Sequence, residues 1–490
     1  MSHKQTISNL ISDLSKILSA DQILDSDTDR YLYDTDATSL FKQKAALIVI
    51  ANSTEDVSRI VKLINNYPKL NFLARGAGTG LSGGAIGDEN TVIISTAGMN
   101  KLIASDFDNR MALIETGLVN SALSELVKSS GLHFSPDPSS QDSCTIGGNI
   151  AENAGGIHCY KHGVSSDQIL GLELVMPDGE IVYFGEINEQ ACKAFDLNQK
   201  AEKIYQARRS QIDFSRLFTG SEGTLGIATK ALVQLQKIPE SFLTMQIAFG
   251  SAIEAAQLVS AVIREGFKPT ALEMIDEGAL EAVCKSFDLG IPTESKAVLL
   301  LELDGDNDEI LLEAKAIREL IEREFKPLLF KESQDPEERK FLWKVRKGTV
   351  AAFGKIAPYW YLYDAVVPRS KIPEATERIE EIAAKYDLKL ASVLHAADGN
   401  LHPNFLYDPD KDPEVIDRIH KASHEIMKLC IELGGVLSGE HGIGVEKRDY
   451  MPFLFSDEDM ETMLKLRKVF DPKMISNPGK IFPVRICKYC

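Results

Sequence analysis

Six polar residues in the C-terminal half are of types and spacings that can do chemistry. The run Leu394-His395-Ala-Ala-Asp-Gly-Asn-Leu-His402-Pro-Asn404 places a turn signal, Asp398-Gly399-Asn400, between two apolar stretches. His402 and Asn404 are two apart, so on a strand they share a face. His395 ends the preceding stretch, and a hairpin would bring it toward His402. A second run, Ser438-Gly-Glu440-His441-Gly-Ile-Gly444, offers a carboxylate and a third imidazole. Two histidines and one carboxylate, His395, His402 and Glu440, form a donor set for a divalent metal such as Zn, Mn or Fe. With no HxH or HExxH spacing, the same residues also suit a polar cleft where histidines only hydrogen-bond. His441 is the candidate general base, since neutral imidazole takes a proton near pH 7; its alternative is to orient Glu440. Arg346, in Phe341-Leu-Trp-Lys-Val-Arg346-Lys-Gly, offers the planar fork that suits a carboxylate, or else an arginine on a helix surface.

Glycine marks a different chemistry in the N-terminal half. Arg75-Gly-Ala-Gly-Thr-Gly-Leu-Ser-Gly-Gly-Ala85 follows an apolar stretch, and glycines there let backbone amides approach a phosphate. Gly78, Gly80 and Gly83 spell GxGxxG, but the chain runs on to a strand at Val92–Ser95 without room for the helix a Rossmann site needs, which rejects NAD. No GK[ST] follows, which rejects a Walker loop. Cys144-Thr-Ile-Gly-Gly-Asn-Ile-Ala-Glu-Asn-Ala-Gly-Gly156 and Thr219-Gly-Ser-Glu-Gly-Thr-Leu-Gly-Ile227 are two further glycine-rich loops. Three such loops suit one long ligand with a pyrophosphate.

The elements that must position these residues follow from periodicity. Residues 1–41 read as a helical lead. Strands are expected at 46–50, 70–74, 92–95, 172–176 and 180–184, with a helix at 54–67 capped by Thr54. Residues 186–204 read as an insertion. From Phe242 onward strands at 243–249, 271–275, 297–303, 361–367 and 388–394 alternate with helices at 251–265, 308–325 and 370–386, an α+β texture whose strands can pair antiparallel. Arg346 falls on a helix that starts at the acidic pair 337–338, and a last helix is expected at 457–469.

A chain of 490 residues exceeds one core, since cores rarely outgrow ~250–300 residues, so two or three domains are expected. With 54 basic and 72 acidic residues the net charge is −18, which argues against nucleic acid. No apolar run approaches the ~18–20 residues of a spanning helix, and the N-terminus lacks a signal-peptide core, so a cytoplasmic chain is expected, peripheral to a membrane only through a partner. The seven cysteines are expected as free thiols, with a redox or metal role open for the terminal pair Cys487 and Cys490. No four-cysteine cluster pattern is present.

In their order, RGAGTGLSGGA, CTIGGNIAENAGG, TGSEGTLGI, HAADGNLHPNF, SGEHGIGVEKRDYM and NPGKIF resemble the FAD-binding p-cresol methylhydroxylase (vanillyl-alcohol oxidase) superfamily. Within it they are similar to FAD-linked 2-hydroxyacid dehydrogenases, and GGIHCYKHG at 155–163 looks closest to glycolate oxidase flavoprotein subunits. The resemblance implies an α+β fold in which an FAD-binding domain of two α+β subdomains, 42–240, is followed by an α+β cap domain with an antiparallel sheet, 241–490, whose helical end returns to the flavin. It implies that the backbone of Arg75, Gly76, Ala77, Gly78, Thr79, Gly80 and Leu81 cradles the FAD pyrophosphate. Asp137, Ser140, Gly148, Asn149 and Ile227 would line the cofactor, and Asn477 of NPGK would approach the flavin. Relatives with covalent flavin often carry a histidine in the first loop; residues 75–85 have none, so non-covalent FAD is expected. By the same resemblance His395, His402 and Glu440 bind a divalent metal, and Arg346 and Asn404 bind substrate. Hydroxyglutarate enzymes of the family place a lysine before the Tyr-Asp pair; here that place is Leu362, which favours a small monocarboxylate. The implied reaction is oxidation of glycolate or D-lactate to the 2-oxo acid by hydride transfer to flavin. Electrons would pass to a separate iron–sulfur subunit, electron-transfer flavoprotein, quinone or cytochrome, within a homo- or hetero-oligomer. The rival readings are a D-2-hydroxyglutarate dehydrogenase, a non-redox flavin transferase like the alkyl-glycerone-phosphate synthases, and an inactive flavin-binding subunit.

Overall fold

The computed structural model describes residues 2–38, 41–187 and 214–486. The terminal Cys487 and Cys490, Cys192 and most of the expected insertion lie outside them. The chain divides into two compact units. One holds the chain up to Gly156, Gly163–Ile238 and everything from Glu440 onward; the other holds Ile157–His162 and Pro239–Gly439. The stretch 241–490 thus contributes to both units, its part after Gly439 falling in the first.

In the first unit a four-stranded sheet runs in the order Ile23–Leu24, Leu47–Ile50, Thr91–Ser95, Asn71–Arg75. Its three long strands are parallel. Helix Thr54–Ile64 covers it with Val57, Ile60, Val61 and Ile64, the spacing of one helical face, and helix His3–Leu14 adds Leu10 and Leu14. The cap of the first of these is Ser53 rather than Thr54: Ser53 accepts from the Asp56 amide at 3.1 Å, and Thr54 Oγ1 turns to the buried Glu173 instead. Between Arg75 and Thr91 there is no helix, as the rejection of a Rossmann loop requires. A second sheet, wholly antiparallel, runs Leu102–Asp106, Met111–Glu115, Ile227–Gln234, Ile169–Val175, Ile181–Gly185. The C-terminal helix Asp457–Phe470 leads to Ser476, which bridges to Phe72.

The second unit is built on an eight-stranded antiparallel sheet. Its order is Leu329–Ser333, Ser241–Phe249, Ala297–Gly305, Ala271–Asp276, Lys389–His395, Asn400–Tyr407, Tyr359–Leu362, with Ala365–Val366 also pairing Asn400–Tyr407. The expected single strand over 361–367 is broken at Tyr363-Asp364, because the buried Asp364 carboxylate accepts from Ser438 Oγ at 2.6 Å and the Gly439 amide at 3.0 Å. Four helices, Ala252–Arg264, Asn307–Glu324, Ile372–Lys385 and Val415–Glu432, cover one face with a large apolar core. The other face carries Val298, Leu300, Ile275 and Val393 and is covered by helices Glu277–Cys284 and Pro336–Lys347.

Side chains alternate across a sheet. That parity puts Thr244, Glu302, Glu273, His395, His402 and Asn404 on the second face, each flanked in sequence by residues of the large core. Helix Pro336–Lys347 lies over the strands that carry Thr244, Glu273 and Glu302. Asp335 caps it by accepting from the Glu337 and Glu338 amides. Arg339, Trp343 and Arg346, spaced four and three apart, share one side of it. Glu302 accepts from Arg339 Nε at 2.8 Å, Trp343 Nε1 at 2.7 Å and Thr244 Oγ1 at 2.6 Å. Burial acts to raise the Glu302 pKa, but these donors hold it below the ordinary carboxylate value. Its contribution to stability is thus complete above the ordinary carboxylate range and is lost as pH falls through the depressed value. Arg339→Ala should cost about 2 kcal/mol at pH 7, less than the ~3–5 for breaking a fully buried pair, because Arg339 is partly exposed. The melting-temperature gap to wild type should narrow in acid; a gap that is constant with pH would contradict this account.

Candidate functional site

In the second unit one carboxylate joins two candidate site residues. Glu273 Oε2 accepts from Arg346 Nε at 2.6 Å, and Glu273 Oε1 lies 2.7 Å from His395 Nδ1. Burial works to raise the Glu273 pKa, and the charges of His395 and Arg346 overcome it, holding the carboxylate ionised. An ionised carboxylate only accepts, so His395 presents a proton on Nδ1, and in the neutral ring the lone pair is then on Nε2. His402 Nδ1 lies 2.8 Å from the Tyr363 carbonyl, which also only accepts, so His402 has the same tautomer. The two rings are 5.2 Å apart and nearly perpendicular. Ring nitrogens of the pair lie within 4.8 Å of each other, and one of His402 lies equally near an Asp364 oxygen.

Two imidazoles with their Nε2 lone pairs fixed by carbonyl and carboxylate partners are what zinc, manganese or iron sites use, so these residues fit a divalent metal. Arg346 is buried, and with Nε taken by Glu273 its remaining fork is the Nη1/Nη2 edge. Asn404 donates Nδ2 to the His402 carbonyl at 2.9 Å and leaves Oδ1 buried without a protein partner, an acceptor suited to a ligand hydroxyl.

His395, His402 and Asn404 thus share one sheet face, and Arg346 joins them from helix Pro336–Lys347 through Glu273. Glu440 and His441 fall at the start of the returning segment in the first unit, directly after Ser438-Gly439 in the chain. His441 Nε2 and Glu440 Oε1 are 4.0 Å apart, beyond a hydrogen bond.

In the first unit the glycine loops shape an anion cradle. Among the described residues no acceptor takes a hydrogen bond from the backbone amides of Gly76 to Ser82. A row of such amides suits phosphate oxygens. Gly78 has φ +71° and a Cβ there would meet the Arg75 guanidinium at 2.3 Å, so only glycine fits. Arg75 serves through its backbone, because its guanidinium donates to the carbonyls of Thr35 at 2.8 Å, Ala85 at 2.9 Å and Tyr33 at 3.3 Å. Thr145 caps helix Ile146–Glu152 by accepting from the Gly148 amide at 3.2 Å, and Gly76 packs on its hydroxyl.

Asn149 is buried with Nδ2 unpartnered. Asn477 donates Nδ2 to the carbonyls of Glu222 at 2.6 Å and Gly84 at 3.1 Å, tying the first and third glycine loops, and its Oδ1 is unpartnered. Asp137 and Ser140 sit in the turn before the second loop, where Ser140 O accepts from the Cys144 amide at 2.8 Å. The Ile227 side chain belongs to the apolar core, and its backbone is paired with Val175 in the sheet. Bare amides and orphaned buried amide groups converging from several loops fit the pyrophosphate and polar atoms of FAD.

Two acidic residues inside the glycine motifs were not singled out from sequence, and they hold the Gly442–Gly444 loop. Glu222 accepts from the amides of Ile443 at 2.7 Å and Gly444 at 2.8 Å. A Cβ at Gly442 would meet Glu152 Oε2 at 2.1 Å. Lys447, buried, donates to the Gly442 carbonyl at 3.0 Å. Burial raises the Glu152 pKa well above the ordinary value, and the neighbouring Glu222 adds to that against Lys447. Glu222 is also raised by burial, but its two amide donors favour its charge. Glu152 is therefore the member that keeps the proton. An acid with a raised folded pKa takes stability away as pH rises above its unfolded value. Glu152→Gln, which mimics the protonated form, should melt higher than wild type at pH 8 and equal to it near pH 4; a lower melting point at pH 8 would refute this assignment.

Comparison with known proteins gives the family. Residues 45–185 match the FAD binding domain family, and residues 238–481 match the family of FAD linked oxidases, C-terminal domain. The chain is 35% identical to glycolate oxidase subunit GlcD of Bacillus subtilis over 458 residues, 94% of this chain and 93% of that protein. It is 33% identical to a D-lactate dehydrogenase of Archaeoglobus fulgidus over 479 residues, 96% of this chain and 98% of that protein. Its fold is similar to that of p-cresol methylhydroxylase with substrate bound, at a TM-score of 0.79 and 16% identity, covering 98% of each chain. The chain belongs to the FAD-linked oxidase family, and it is an FAD-dependent oxidoreductase of the p-cresol methylhydroxylase-type fold.

Proposed function

We propose that this enzyme oxidises a small 2-hydroxy monocarboxylate, glycolate or D-lactate, to the 2-oxo acid and passes the electrons to a separate acceptor. The observation that carries this reading is the buried Arg346, whose Nε is taken by Glu273, the same carboxylate that holds His395 on the sheet face shared with His402 and Asn404, so that the Nη1/Nη2 edge is left for a ligand. A carboxylate binds that edge in two parallel hydrogen bonds, which fixes the substrate's orientation. Asn404 Oδ1 accepts from the 2-hydroxyl, and a ring nitrogen of His441 takes the hydroxyl proton.

The glycine loops would hold FAD, which would supply the hydride acceptor. A divalent ion held by His395, His402 and Glu440 would supply polarisation of the hydroxyl oxygen. Leu362 pairs with Asn404 in the sheet and is apolar, with Trp360 two residues before it. That neighbourhood favours a hydrogen or methyl at the substrate's 2-carbon over a second carboxylate.

The reading includes an electron acceptor outside this chain. The free thiols Cys144, Cys159, Cys284 and Cys430 are scattered, and among the described residues no cluster site is formed. An iron–sulfur subunit, an electron-transfer flavoprotein or a quinone would serve. Among the described residues no helix is long and apolar enough to cross a membrane, which supports a cytoplasmic chain that meets a membrane only through its acceptor.

Anaerobic mixing tests the reaction. Glycolate or D-lactate should bleach the flavin, while D-2-hydroxyglutarate and L-lactate should do so poorly; no bleaching by any 2-hydroxy acid would overturn the proposal. Arg346→Ala should raise KM and lower kcat together. The loss in kcat/KM should be about 100-fold or more, given ~1.5–3 kcal/mol for each hydrogen bond to a charged group. Acid precipitation should release all of the flavin into the supernatant, since the bond is non-covalent, and colour retained in the pellet would show otherwise.

A further inference from the structure

A charge at residue 273 stands out against its surroundings. On strand Ala271–Asp276 the neighbours on the same face, Ala271 and Ile275, are apolar core, and Glu273 is 2% exposed. A buried carboxylate is costly unless its donors are in place. Glu273 has two, Arg346 Nε and His395 Nδ1, and each takes a different oxygen. His395 is its directly paired residue on the next strand, so the reach is fixed by sheet register rather than by a flexible side chain. Glu302, on the adjacent strand, is a natural comparison. It is equally buried and binds the same helix, but its donors are Arg339, Trp343 and Thr244, none of which is a candidate site residue.

We propose that Glu273 is a positioning residue that couples the metal-ligand candidate His395 to the carboxylate clamp Arg346. This rests on the functional reading above. On the His395 side the carboxylate enforces the Nδ1–H tautomer and makes Nε2 the more basic donor atom. On the Arg346 side it occupies Nε, which removes the side-on fork and leaves only the end-on one for substrate. One side chain thereby sets both the atom that meets a metal and the edge that meets a carboxylate. Glutamine cannot replace it, because an amide has one acceptor oxygen and so serves only one of the two donors.

The test uses full-length, flavin-loaded protein. Metal is stripped with a chelator, and Zn²⁺ is then titrated against a chromophoric chelator in wild type, Glu273→Gln, Glu273→Asp and Glu302→Gln. Glu273→Gln should weaken zinc about 10–100-fold, the usual cost of losing such a partner. Glu302→Gln should lower the melting temperature but keep wild-type zinc affinity. Glu273→Asp keeps the buried charge but is one methylene short of both partners, so it should also weaken zinc; it replaces the glutamine variant if that one fails to fold.

Kinetics at saturating zinc test the other half. Glu273→Gln should still show kcat/KM at least tenfold below wild type, through a misplaced Arg346. The proposal is overturned if Glu273→Gln or Glu273→Asp binds zinc within twofold of wild type, or if Glu302→Gln weakens zinc as much. It is also overturned if saturating zinc restores full kinetics, or if wild type binds no zinc. Failure of the functional reading would show separately, as a flavin that no 2-hydroxy acid bleaches, because the zinc titration does not depend on turnover.

Discussion

A carboxylate taken out of water must recover its hydration from protein donors, and in this chain those donors come from far along the sequence. Glu222 finds them in the amides of Ile443 and Gly444, 221 and 222 residues away. Glu273 finds them in Arg346 and His395, 73 and 122 residues away. Asp364 finds Ser438 and Gly439, and Glu302 finds Arg339 and Trp343. Each is expensive until the distant element arrives and is satisfied once it does. The loops that carry the chemistry are therefore held where they are by the requirement that no buried charge be left alone. Glycine supplies the complement: at Gly442 only the absence of a Cβ lets the loop close over Glu152.

The two units offer an anionic ligand different groups, and sequence shows why. In the first, the parallel strand Asn71–Arg75 ends in a glycine loop whose Gly76–Ser82 amides stay unspent, so what it offers a phosphate is backbone, and the fixed side-chain cation is used elsewhere. Arg75 illustrates this, its guanidinium consumed by three carbonyls that shape the loop. In the second, a sheet with one face on a helical layer can carry a row of polar side chains on the other. There the proposed partner of an anion is the side chain of Arg346. The overall charge of −18 has no bearing on either, because both act at short range inside the protein.

Much of this was legible in the sequence where a local rule decides the outcome. The Asp398-Gly399-Asn400 signal and the two-residue period placed His395 and His402 on facing strands, and the structure pairs Val393 with His402 and His395 with Asn400. The glycine loop was separable from a Rossmann loop because a strand follows too soon. Arg346 was placed on its helix because an acidic first turn announces one. What escaped was what depends on partners far away. Glu273 and Glu302 each appear as a single acid inside an apolar strand, ALEMID and AVLLLELDG, and only the strand order reveals whom they face. In hindsight, an acid at an inward position of a buried strand is the signal. The return of the C-terminal segment was invisible for the same reason: no periodicity in residues 440–486 names Phe72 as the partner of Ser476 and Asn477. Thr54 lost the cap to Ser53 because Glu173 competes for its hydroxyl, again a distant partner.

The single-valued character of these hydrogen bonds explains how the site can be specific with so few residues. A backbone carbonyl cannot donate, so Tyr363 admits one tautomer of His402; an ionised carboxylate cannot donate, so Glu273 admits one tautomer of His395 and one free edge of Arg346. A serine or water in either place could turn and accept both arrangements. By using partners that have no second option, the sheet fixes the direction of two lone pairs and one cationic fork before any ligand arrives. That is preorganisation in the sense that matters for catalysis, since no reorientation is then required at the moment of reaction. It also locates the vulnerability of the site: substitutions that merely keep polarity at 273 or 402 restore a hydrogen bond but not its direction.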